Sequence, residues 1–128
     1  MLLLVPAEES QLGALLGFLL HLQRLIVNQD SYETRLRLRV CVSRGELAVS
    51  GDGWWGSALV TSTRLLNADA LRSAMSNQAV FAVAVTEEIH DDLGDLKPRG
   101  FQPKFHHALA VTKGGDIPTW IYTVHGGV

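Results

Sequence analysis

Gly51-Asp52-Gly53-Trp54-Trp55-Gly56 follows a short apolar stretch and precedes a helical one. That glycine spacing lets backbone amides close on a pyrophosphate at a helix N-terminus. Glu87, just past the next apolar run, stands where a ribose-binding acid belongs in such a site. Against it, the preceding strand is short and reads as one arm of a hairpin, and Trp54 and Trp55 crowd the turn that a pyrophosphate would approach. A glycine-rich hairpin leading into a helix is the simpler reading, and dinucleotide binding through Gly51 to Gly56 is kept as an alternative.

The other candidate groups favour structure over chemistry. Cys41 lies in an alternating apolar run, where a thiol nucleophile needs a neighbouring base that the sequence does not supply, so the position reads as packing. His106 and His107 are adjacent in a strand, point to opposite faces and cannot grip one metal together. His90-Asp91-Asp92 at a helix end reads as a solvated terminus, and no metal site is expected. Arg35, Arg37 and Arg39 line one strand face, where they could meet an anion or an acidic partner but more simply keep a surface wet. Trp54 and Trp55 are costly to leave exposed, so an interface or packing over the end of the core is expected there.

The elements that hold these residues follow from periodicity. Leu2 to Val5 reads as a buried strand, and Glu8-Glu9-Ser10 opens a helix that runs to about Asn28. From Arg35 to Val42 apolar and polar residues alternate, with Leu36, Leu38, Val40 and Val42 on one face. Ser43-Arg44-Gly45 is read as turning the chain back into a short strand, Glu46 to Ser50. A helix from Ser57 ends at Asn67, and Asp69 caps another turn or two to Met75. Val80 to Val85 is wholly apolar, as in a sheet interior, and Thr86-Glu87-Glu88 starts a short helix ending near Gly94. Lys104 to Val111 and Ile117 to Val124 form a hairpin around Lys113-Gly114-Gly115-Asp116.

The chain has 128 residues, 47% of them hydrophobic, which suits one domain over 1–128 with a single core. A net charge of -2 supplies no global field for nucleic acid or anionic membrane. The apolar stretch Leu12 to Val27 is interrupted by His21, Gln23 and Arg24 and is too short to span a bilayer. The lone cysteine rules out an intrachain disulfide, so a reducing, cytoplasmic location is expected.

In order, the elements read β, α, β-hairpin, α, β, α, β-hairpin, which resembles the class III nucleotidyl (adenylate/guanylate) cyclase homology domain. Leu36 to Leu47 is similar to that family's strand and turn ending in Gly-Glu, here Gly45-Glu46. Trp55 to Leu65 resembles the family helix that carries an asparagine and an arginine, and Arg64 falls on the arginine. Val111-Thr112-Lys113-Gly114 resembles its closing Val-Lys-Gly element.

The resemblance implies an α/β (α+β) fold with a ferredoxin-like mixed or antiparallel sheet, its helices packed on one face. It makes Arg64 the position that stabilises charge on the transferred phosphate and Lys113 a nucleotide-binding position for the terminal phosphates. Val60 occupies the asparagine's place and cannot hydrogen-bond a ribose. The family's opening strand, with its helices and both metal-binding aspartates, has no counterpart before Met1. No cofactor is therefore expected, and magnesium only where a partner supplies the carboxylates. The expected function is a catalytically inactive regulatory or interaction module in intracellular signalling. The alternative is a half-site subunit converting ATP or GTP to a cyclic nucleotide. Homo- or hetero-oligomerisation with another cyclase-like domain is expected, with a nucleoside triphosphate as a further partner.

Overall fold

A computed structural model describes residues 11–29, 36–46, 48–51, 53–75, 79–94 and 104–125. The expected strand Leu2 to Val5, Arg35, Leu47 and Asp52 lie outside them. The described elements are α1 (Gln11–Val27), β1 (Leu38–Val42), β2 (Ala48–Ser50), β3 (Gly53–Trp55), α2 (Ser57–Leu66), α3 (Asp69–Met75), β4 (Ala79–Thr86), α4 (Glu87–Gly94), β5 (His106–Thr112) and β6 (Gly115–His125). The fold is α+β. Its main sheet is mixed, with strand order β1-β4-β6-β5, and β2 pairs with β3 in a separate two-stranded sheet.

β4 is central because it has no polar side chain until Thr86, so it satisfies its backbone only between two strands. It runs parallel to β1, with Val40 opposite Val83, and antiparallel to β6, with Val83 opposite Tyr122. Successive β4 residues point to opposite faces. Phe81, Val83 and Val85 meet Leu16, Leu19 and Ile26 of α1 and Ile89 and Leu93 of α4. Ala82 and Ala84 meet Leu71 and Met75 of α3 on the other face. Helices therefore cover both faces, not the one expected. The cause is that β4 is apolar on both sides, and each side needs a cover. Burying each large apolar side chain of this core contributes about 1.5–3 kcal/mol.

The turn expected at Ser43-Arg44-Gly45 does not form a hairpin. Among the described residues β1 pairs with β4 alone, and the hairpin instead joins β2 to β3, with Ser50 opposite Gly53. Long-range contacts draw the chain away from β1. The Ser43 hydroxyl donates to the Ala58 carbonyl at 2.8 Å, and the Arg44 guanidinium donates to Glu88 at 3.2 Å and to Asp92.

Leu36 also departs from expectation. It lies exposed ahead of β1, where the Gln29 side chain accepts from its amide and donates to its carbonyl, tying the end of α1 to the approach to β1. Arg37 and Arg39 are fasteners: Arg37 Nε donates to the Ala79 carbonyl and Arg39 Nη1 to the Leu66 carbonyl. The second bond caps a carbonyl at the C-terminus of α2, where a cation is favoured.

Candidate functional site

Arg64 sits in the last turn of α2. Its neighbour Leu65 is buried with Ala110 of β5 and packs against Ile117 of β6, which seats α2 over the β5–β6 hairpin. The hairpin closes through Lys113 and Gly114, with Thr112 opposite Gly115. The Thr112 hydroxyl donates to the Gly115 carbonyl at 2.6 Å and accepts from the Gly114 amide at 3.3 Å, which stiffens the turn. Gly115 adopts φ of 120°, a conformation that favours glycine.

The guanidinium of Arg64 lies directly against Gly114, where any Cβ would overlap it. Arg64 and the Lys113 turn, named from sequence as two separate positions, are thus brought together on one surface. Among the described residues Arg64 makes no ion pair with a carboxylate. Val60 lies one turn before Arg64 on the same side of α2 and is 46% exposed. The patch therefore offers the Arg64 cation on a turn that also carries the exposed Lys113, with an apolar neighbour: it can attract an anion but presents no hydrogen bond at Val60.

The glycine motif is placed differently from a dinucleotide site. Gly51 lies in the turn of the β2–β3 hairpin, Gly53 opens β3, and Gly56 precedes α2 with φ of 140°. The strand before the motif has three residues and belongs to the small sheet, so the parallel strand needed to aim a pyrophosphate at α2 is not what precedes it. Trp55 is 61% exposed on this hairpin. The Trp54 side chain lies outside the described residues.

Cys41 packs among the small residues beneath α2 and α3, and burial pushes its thiol up to about 12, with nearby Arg39 opposing. It is inert packing, as its alternating run suggested.

His90, expected to be solvated, instead stacks on Trp120, their ring centroids 3.8 Å apart and their planes 3° apart. Phe105 meets the imidazole edge-on at 5.4 Å, and His107 meets Trp120 at 5.0 Å. Asp92 pairs with Arg44 rather than with water alone, and this pair with Glu88 holds the Arg44 guanidinium above its ordinary range, the hydrogen bond to Asp92 contributing most. Sequence reasoning missed both features, since neither Trp120 nor Arg44 is local to α4.

His106 and His107 do take opposite faces: His107 joins Trp120, and His106 borders a cleft beside α3. Among the described residues no group of three or more metal-ligating side chains comes together. No helix among them is long and apolar enough to cross a membrane. The chain matches no protein-family model, no curated protein and no solved structure.

Proposed function

We propose that this chain is a cyclase-like regulatory or interaction module that does not itself form a cyclic nucleotide. The observation that carries the reading is the patch made by Val60, Arg64 and the Lys113-Gly114 turn. It keeps the cations that the resemblance assigns to phosphate and presents an apolar side chain where a ribose would be held. With this reading go a ferredoxin-like, cyclase-like arrangement of the mixed sheet, a cytoplasmic setting for the lone thiol, and association with a second cyclase-like domain. Trp55 on its hairpin and Leu109 and Val111 on the edge strand β5 are exposed apolar groups that support a role in association.

The contact between Arg64 and the lysine turn also favours a second reading, in which this chain completes the active site of a partner that brings the metal-binding aspartates. One experiment separates the two. The purified chain is mixed with a cyclase domain that carries the aspartates but lacks its own arginine and lysine, and cyclic nucleotide is measured with wild type and Arg64→Ala. Association without product supports the module. Product that disappears with Arg64→Ala overturns it in favour of the half-site, and absence of both association and product removes both readings.

A further inference from the structure

At the end of the sheet remote from the Lys113 turn, a cleft of about 400 Å³ opens between α3 and the strands β5 and β6. Its origin is in the residue sizes. α3 presents Ala70, Ser73 and Ala74 to this region, and Ala108 and Ile121 form the floor, so the helix and sheet do not fill the space between them. β5 begins at His106, opposite Ile121, whereas β6 continues to His125, which leaves Thr123 and His125 extending past the end of their neighbour. Alternation along the strand puts Ile121, Thr123 and His125 on one face, and the cross-strand pair puts His106 beside them.

The polar groups are arranged at the two ends. His106 and His125 are both exposed and border the cleft from different strands. Ile121 and His125 are separated along β6 by about 13 Å, so the backbone sets His106, opposite Ile121, and His125 at opposite ends of the cleft. Between them lies an apolar floor with the Thr123 hydroxyl beside it. The described lining includes no carboxylate, so the cleft offers N–H and O–H donors to an acceptor and no opposing negative charge. Its volume falls within the usual range of about 300–1,000 Å³ for small-molecule sites.

We propose that this cleft binds a short linear dicarboxylate, its hydrocarbon middle over Ala108 and Ile121 and its two carboxylates at His106 and His125. The site is independent of the Arg64 patch. His106 and Thr112 mark the two ends of β5, about 20 Å apart in an extended strand, so one small ligand does not reach both.

The test is a nuclear magnetic resonance titration of the isotope-labelled full chain with succinate, adipate, suberate and hexanoate. The expected result is saturable shifts at Ala74, His106, Thr123 and His125, with adipate or suberate binding at least about tenfold more tightly than succinate or hexanoate. His106→Ala and His125→Ala each reduce the preferred dicarboxylate to the affinity of hexanoate, because each leaves one carboxylate unmet. Ala74→Leu fills the cleft and abolishes the shifts. Both imidazoles are exposed, so the variant spectra remain those of a folded chain. Equal affinity for all four acids, shifts centred on Arg64 and Lys113, or no saturable shift with the folded wild type overturns the proposal.

Discussion

Replacing Gly114 by alanine tests whether the Arg64 guanidinium rests on the hairpin turn. A methyl group there occupies the space of the guanidinium, so the arginine must move. Gly114 is not among the glycines with positive φ, so alanine meets no strain from its own backbone. Its intrinsic effect is then favourable by about 0.4–1 kcal/mol, through the smaller freedom of the unfolded chain. In the wild type that gain is offset by displacing the arginine, an exposed group whose contacts are worth about 0.5 kcal/mol. Gly114→Ala alone should therefore change stability by less than about 0.5 kcal/mol. In an Arg64→Ala background the obstacle is gone, and the same substitution should stabilise by about 0.4–1 kcal/mol. Urea unfolding of the four proteins gives the coupling directly, provided the slope with denaturant stays constant. Additivity of the two substitutions would show that the guanidinium does not lie on the turn, and the proposed phosphate patch would lose its geometry.

Phe81→Ala removes a fully buried ring from the centre of β4 and should cost about 3–5 kcal/mol, seen as a large fall in thermal midpoint; a loss below about 1 kcal/mol would place Phe81 outside the core. Cys41 should resist thiol reagents at pH 8 until the chain is unfolded, since burial disfavours the thiolate. Because its folded pKa is raised, its contribution to stability is whole below the ordinary value of 9.0 and is lost as pH rises toward about 12. Wild type should accordingly lose more stability across that window than Cys41→Ala, and equal losses would contradict the buried placement. Arg44→Ala breaks the pairs with Glu88 and Asp92 and should cost less than about 1 kcal/mol, a difference that shrinks in high salt; an effect insensitive to salt would rule out the ion pairs as its source.

The sheet was legible where one strand's composition decided its environment. Val80 to Val85 has no polar residue, and only an interior strand fits that. The alternation from Leu38 to Val42 correctly named the inward face, with Leu38, Val40 and Val42 against the core of α1 and α4. It did not name the neighbour, because alternation is satisfied equally by a hairpin partner and by a parallel strand. Ser43-Arg44-Gly45 and Gly51-Asp52-Gly53 both carry turn signals. The choice between them fell to the contacts of Ser43 with Ala58 and of Arg44 with Glu88 and Asp92, which no local pattern announces.

The candidate site divides along the same line. Arg64 and Lys113 were singled out from separate short motifs, and that Arg64 meets the Lys113 turn depends on a side chain that is not there. Gly114 bears no Cβ, and this is what lets an arginine from another element lie against the turn. Leu65 supplies the other half, since its burial with Ala110 fixes how far α2 rotates and therefore where Arg64 points. A larger residue at position 110 would lift α2 from the sheet and separate Arg64 from the Lys113 turn while leaving both in the sequence. The patch is thus a property of the packing beneath it; under the proposed phosphate reading, a folded Ala110→Leu variant with Arg64 and Lys113 intact should bind phosphate more weakly than wild type, and equal affinity would show that charge alone, not position, makes the site.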